Sequence, residues 1–411
     1  MQDRIGPVTR PRAVTVCRET DRIRLKTKLL AALGVALCAA CGERDHVTAR
    51  VPAASTDSPR WAVSDTPVVR LGSVDGDENS QFSGVSGAVR DSAGHIYVAD
   101  AGSSQVRVFD PTGRFIRAFG RAGSGPGEFK LLLRLVRCSP GTVATLDFSG
   151  GRFAVFSDSG ALLRTYSLPA GYNGVRMIAC AGTDTLVALR DQPSTVPPER
   201  GELRVPALLA RVSAQGTATD TIATYRGAMF FFSRRTTGYV DVPLGPATMA
   251  AVGADRVFVG TSDRPIIEVR SFDGAKVDTI AVDSTARPIT RAQRRAALRA
   301  RIAQEPLART RTIIERLAPE LPQPETLPFF RELVADAAGN LWVRTYETFP
   351  ATDDLWIGYR TNGVPFARVM LPADLQVTDI GPGYVLGVRR NEDGVEYVEL
   401  YSVSGSRSAQ Q

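Results

Sequence analysis

Between Gly84 and Phe129 short apolar runs alternate with turn residues in a fixed rhythm: GVSGAVRD, SAGH, IYVAD, AGSSQ, VRVFD, PTGR, FIRAFG and RAGSGPGEF. Gly, Pro, Asp and Ser between runs of this length punctuate β-strands, so the stretch reads as one four-stranded antiparallel sheet. The shape of its second strand and preceding turn recurs down the chain. Cys138–Asp147 matches Asp91–Asp100 without a gap, and Cys180–Leu189, Val252–Gly260, Asp336–Val343 and Ile380–Gly387 follow, making six copies. Each is followed by a third run closing on a turn glycine: Gly113, Gly160, Gly216, Gly274, Gly363 and Gly405.

A fourth run follows the first five copies (FIRAFG, ALLRTYSLP, TDTIATY, VDTIAV, PFARVML) but not the sixth, where the chain ends. The missing run stands at the other end: Pro67–Gly72 leads into SVDGDENSQF as FIRAFG leads into RAGSGPGEF. A fixed repeat of four short strands predicts an all-β six-bladed β-propeller over 61–405. Its N-terminal strand closes the last blade, so that few sheet edges stay open.

Composition changes this picture only at the N-terminus. The formal charge is +7, but residues 1–40 carry eight Lys/Arg against three acidic residues, leaving a nearly neutral body. Such a body is not built for phosphate backbones, and no nucleic-acid partner is expected. Arg22–Lys28 is basic, Leu29–Leu37 is apolar, and small residues follow up to Cys41. That order is a secretory signal, too short to span a bilayer, which takes about 20 apolar residues. The expected organisation is a signal segment over 1–41, a flexible tether over 42–60, the propeller, and a disordered tail over 406–411.

Two resemblances sharpen this. Cys38-Ala-Ala-Cys41-Gly42 resembles a bacterial lipoprotein cleavage box, which implies lipidation of Cys41 and a lipid-anchored protein of the cell envelope facing the periplasm or exterior. Gly94-His-Ile-Tyr-Val-Ala-Asp100, Val106-Arg-Val-Phe-Asp110 and Gly113 resemble an NHL-type repeat, and Gly125-Pro-Gly-Glu-Phe129 is similar to a feature of bacterial six-bladed propeller lipoproteins of the TolB-like class. One blade carries this resemblance well and five share its shape, so it bears on fold and not on function.

In such a blade the A–B and C–D turns share one face, and here they are short. The long excursions are all of the other kind: Gln192–Pro206, Arg226–Pro243, Ser284–Pro328 and Tyr346–Asp354. All should project from one face, the candidate binding surface. In the longest, between blades 4 and 5, Thr290 can cap a helix over Arg291–Ala303, with a second over Leu307–Leu317. Residues 287–320 hold nine Arg against three Glu. A basic hairpin could meet anionic lipid or an acidic partner, but the favoured expectation is a lid packed on the propeller by its apolar stripe. Met229–Phe232 is the candidate surface beneath it.

Aligning the inner strands puts Gly87, Arg134, Arg176, Thr248, Glu332 and Gln376 in one ring toward the long-loop face, with Arg331 beside it. Convergent Arg could clamp a small anionic ligand, and Arg121 and Glu128 could join. Paired ionic side chains between blades would use the same residues structurally. His46 and His95 are the only histidines, one in the tether and one on an A–B turn, which argues against a His-built metal site. NHL-type amidating lyases use such His ligands. Lactonase-like propellers use Glu, Asn and Asp around the channel, a pattern that Glu332 alone fits. No metal or other cofactor is expected. Cys138 and Cys180 occupy equivalent positions in neighbouring blades and could be a disulfide or two buried thiols. The function expected is a monomeric, membrane-tethered binding scaffold for an envelope protein or small anionic ligand, with a channel-mouth hydrolase or lyase as the alternative.

Overall fold

A computed structural model describes residues 58–405 except 76, 169–174, 182–184, 193–199, 214–218, 234–237, 306–307 and 348. The signal segment, Cys41, the tether up to residue 57 and the tail 406–411 lie outside the described residues.

Six antiparallel sheets follow one another along the chain. Blade 1 is Val85–Arg90, Ile96–Asp100, Gln105–Phe109 and Phe115–Phe119, and blades 2 to 5 repeat that order, starting at Leu132, Val175, Thr248 and Glu332. Burial falls from the inside outward. Every residue of Ile96–Asp100 is buried, whereas Phe115–Phe119 alternates half-buried with exposed side chains. A nearly continuous apolar run therefore suits an inner position covered on both faces, and an alternating run suits the rim. Neighbouring inner strands touch around the whole ring. Six apolar clusters fill the seams between blades, such as Phe129, Leu135 and Phe156 between blades 1 and 2, and Phe109, Leu386 and Val398 between blades 6 and 1.

Closure is made where the sequence placed it. Val69–Leu71 pairs with Val398–Leu400 on the third strand of blade 6, Glu396–Gly405. Glu396 ties the junction, its carboxylate accepting from the amides of Gly84 at 2.6 Å and Val85 at 2.7 Å. Gly72 ends the closing strand at φ +124°, and a Cβ there would lie 2.5 Å from the Glu396 carbonyl, so only glycine fits.

Three expectations change. A second strand, Trp61–Val63, also pairs with blade 6, opposite Val403–Gly405. Gly405 is therefore not a turn glycine but the last described residue of the third strand, Glu396–Gly405, which extends past the pairing with Val69–Leu71 to meet Trp61–Val63. This glycine admits the Trp61 indole, which a Cβ would meet at 2.7 Å. Ser58–Arg60, at the end of the expected tether, lie along the outer strand of blade 5, where Arg368 N donates to the Pro59 carbonyl at 2.9 Å. An open strand edge recruits nearby chain, and Trp61 adds edge-on contacts to Trp342 and Phe366 of blade 5 at 5.7 and 5.5 Å.

The long excursions do not hang as loops. Arg200–Arg204 from the first and the hairpin Met229–Ser233/Gly238–Asp241 from the second form a three-stranded accessory sheet. The third forms helices α1 (Arg291–Gln304) and α2 (Ala308–Leu317). Thr290 caps α1 in a reciprocal capping box with Gln293, as its position predicts.

Candidate functional site: the capped face and the channel mouth

Helix α2 buries Ile314 and Leu317 against Phe231, Val240 and Val242 of the accessory sheet, with Leu298 and Ile302 of α1 beside them. The fourth excursion joins through Tyr346 and Phe349, which pack with Leu244, Ile289, Ala297 and Leu327. Polar contacts fix the same arrangement. Arg301 Nε is shared between the two carboxylate oxygens of Asp241 at 2.8 and 2.9 Å, and Gln293 Nε2 donates to the Phe349 carbonyl at 2.8 Å. The four excursions thus make one cap, and Met229–Ser233 is the surface on which the helices rest.

Beneath the cap, the ring residues fall into separate groups. Arg134 and Arg176 come together on neighbouring blades: Arg134 Nη2 donates to the Arg176 carbonyl at 2.7 Å. In both inner strands the pairing register shifts beside the arginine, between Leu132 and Arg134 and between Val175 and Met177, and such bulges re-aim side chains. Burial lowers the pKa of the Arg134 guanidinium. Arg176 is held by Asp191 at 2.5 Å and lies 6.0 Å from the centre of the Phe230 ring of the accessory sheet. Burial raises the Asp191 carboxyl despite that partner.

Arg331 and Glu332 form a second group on blade 5. Glu332 pairs across strands with Arg344, whose guanidinium reaches its carboxylate at 3.0 Å. Arg344 also binds the buried Asp354 through Nε at 2.9 Å and donates to the Ala373 carbonyl at 2.9 Å. Arg331 closes on the same Asp354 and rests against the Tyr346 and Phe349 rings at 5.4 and 5.3 Å. Two cations and two carboxylates make this cluster neutral. Burial dominates its chemistry, raising the Glu332 carboxyl and lowering the Arg331 guanidinium.

The ring residues are held in separate pairings. Among the described residues no hydrogen bond or ion pair joins Arg134 or Arg176 to Glu332, and Gln376 is exposed. Arg121 and Glu128 pair with each other at 2.7 Å, and Glu128 also accepts from the Gly125 amide, so they staple their own loop. The physical reason is the cost of unpaired charge in a crowded mouth, which favours a partner on the same or the next blade.

Sequence reasoning missed Asp191, Arg344, Asp354 and Phe349 as members of these groups. A signal existed for one of them. Asp100, Asp147 and Asp191 all close second strands and all pair with an arginine, but the first two reach Arg107 and Arg152 of the third strand at 3.2 and 2.9 Å and also accept the amides of Ser83 at 3.0 Å and Leu131 at 2.9 Å, while Asp191 turns to Arg176 of the first strand. His95 sits on an A–B turn, its Nδ1 2.9 Å from Asp91, and Tyr97 donates to the same carboxylate. Burial and Asp91 push the Tyr97 phenol up to about 12, so it stays a donor. Among the described residues no group of His, Cys, Asp and Glu is arranged to hold a metal. The Cα atoms of Cys138 and Cys180 are 5.0 Å apart, inside the bridging range, and the two are joined as a disulfide across blades 2 and 3.

The fold and this face define a capped six-bladed β-propeller. Residues 78–175 match the model of a family, DUF5128, described as a 6-bladed beta-propeller. Solved structures are similar to this chain at low identity. A DUF4221 family member from Bacteroides vulgatus is 9% identical (86% of this chain, 100% of that one, TM-score 0.48). An exported protein from Bacteroides fragilis is 12% identical (86% and 98%, TM-score 0.45), and virginiamycin B lyase from Staphylococcus aureus is 10% identical (83% and 99%, TM-score 0.38). No curated protein matches the chain. Among the described residues no helix is long and apolar enough to cross a membrane.

Proposed function

We propose that this protein is a lipid-anchored scaffold of the cell envelope that binds a partner protein through its capped face, without catalysis. The observation that carries the reading is the fusion of all four long excursions into one cap. A ring whose long excursions gather on one side is suited to recognition. The alternative, a hydrolase or lyase at the channel mouth, would need a free acid or base. Arg344 holds Glu332, the one carboxylate of the ring, so the binding reading is favoured.

The test places a photo-crosslinking amino acid at Tyr239, exposed on the accessory sheet, and separately at Thr112, on a C–D turn of the opposite face. In the native envelope, adducts should form from Tyr239 and not from Thr112. Adducts from Thr112 alone would overturn the reading. The anchor is tested separately: Cys41→Ala should release the full-length chain from the membrane fraction, and unchanged retention would refute lipidation at Cys41.

A further inference from the structure

The outward side of the helical hairpin differs from its inward side in how arginine is used. Inward, Arg301 binds Asp241 and Glu305, and Arg294 donates to the Ile289 and Pro324 carbonyls at 2.8 and 2.9 Å. Outward, Arg291, Arg295 and Arg299 of α1 and Arg309, Arg311 and Arg316 of α2 are exposed. None of these six forms an ion pair with a described residue, and Glu315 is the one exposed carboxylate on the two helices.

This arrangement works against the hairpin's own stability. Arg291, Arg295 and Arg299 repeat at four-residue steps, and like charges at that spacing destabilise a helix. Arg291 also stands at the first position of α1, where the helix dipole disfavours a cation. A surface needed only for solubility would intersperse both signs. The excess therefore points to an anionic occupant.

The form of the patch favours one kind of occupant. The large apolar side chains of both helices, Leu298, Ile302, Ile313, Ile314 and Leu317, are used against the accessory sheet. The exposed remainder is Ala, Thr, Arg, Pro and Glu315, with no large apolar side chain to enter a bilayer. Along the α1 axis the backbone positions of Arg291, Arg295 and Arg299 step by about 6 Å. Alternate residues of an extended peptide step by about 6.6 Å, and a carboxylate is the planar fork's natural partner.

We propose that the outer face of the α1–α2 hairpin binds an extended segment of a partner protein with Asp or Glu at alternate positions. This rests on the binding reading above and specifies the partner's chemistry.

Full-length protein in neutral detergent is titrated against a fluorescein-labelled alternating Glu-Ala peptide and read by fluorescence anisotropy. Saturable binding is expected, weakening at least about tenfold in the Arg291→Gln/Arg295→Gln/Arg299→Gln variant. An alternating Gln-Ala peptide should not bind. The variant's melting temperature should equal or exceed the parent's, because it relieves like-charge repulsion; that result keeps a loss of binding from being a loss of fold. No binding of the acidic peptide, equal binding of inorganic polyphosphate, or binding unchanged in the variant would overturn the proposal. So would retention on phosphatidylglycerol vesicles, relative to phosphatidylcholine vesicles, that falls in the variant while the peptide fails to bind. The crosslinking at Tyr239 is independent of all these outcomes, so the partner's acidity can fail while the binding face stands, and the reverse.

Discussion

At the scale of single residues, the candidate site shows how pairing changes what a motif can do. Arg134, Arg176 and Glu332 were legible as first-strand residues, with Arg331 beside them, because strand alignment counts positions along the chain. Their partners were not. An Asp that closes a second strand looks the same in sequence whether it accepts amides together with an arginine of the third strand, as Asp147 does with Arg152, or an arginine of the first strand, as Asp191 does with Arg176. The choice depends on which strand's side chain reaches it, a tertiary fact. Glu332 gives this a measurable consequence. Burial holds its carboxyl above the ordinary range, against Arg344 and Arg331. A group raised in this way favours the fold fully below its unfolded pKa, and that contribution is lost as pH rises through the folded value. Glu332→Gln should therefore match the parent in acid and become the more stable of the two as pH climbs from about 4 toward neutrality. Denaturant melts across that range check it; a variant that loses stability relative to the parent as pH rises would show that Arg344 outweighs burial.

At the scale of elements, the strands and α1 follow from local rules. Alternation and turn glycines set the blades, and Thr290 with Gln293 starts the helix where their spacing requires. The accessory sheet was hidden because its strands come from two excursions far apart in sequence, Arg200–Arg204 and Met229–Asp241, and neither makes a sheet alone. The Phe230–Phe232 run was the visible hint, since three aromatics in a connecting segment need a surface to cover them. Trp61–Val63 was missed for a similar reason. A three-residue strand has no periodicity of its own, and only the length of Glu396–Gly405 creates a place for it. The lone Trp in a polar stretch was its signal. The Cys138–Cys180 pair could not be decided from equivalent positions, because the spacing of adjacent blades at that turn, 5.0 Å between Cα atoms, is a property of the assembled ring.

At the scale of the whole molecule, two tasks are divided between two parts. The ring is held by apolar seams and by buried carboxylates that cross blades. Asp379 of blade 6 accepts from the Arg90 amide at 2.9 Å and pairs with Arg137 of blade 2 at 2.8 Å. The cap, built from excursions between the blade strands, carries the six exposed arginines of the helical hairpin that pair with no described carboxylate. Loop length, not the best-preserved repeat, was the informative feature for function: the Gly84–Phe129 blade identifies the scaffold, and its histidine turn lies away from the cap. The account's central claim is that the capped face is the one that binds. The most direct measurement is hydrogen–deuterium exchange of the full-length chain, alone and saturated with the partner recovered by the Tyr239 crosslink. The account predicts slowed exchange in Arg200–Arg204, Met229–Ser233, α1 and α2. Slowed exchange in the Asp91–His95 and Asp110–Arg114 turns, with the cap unchanged, would contradict it.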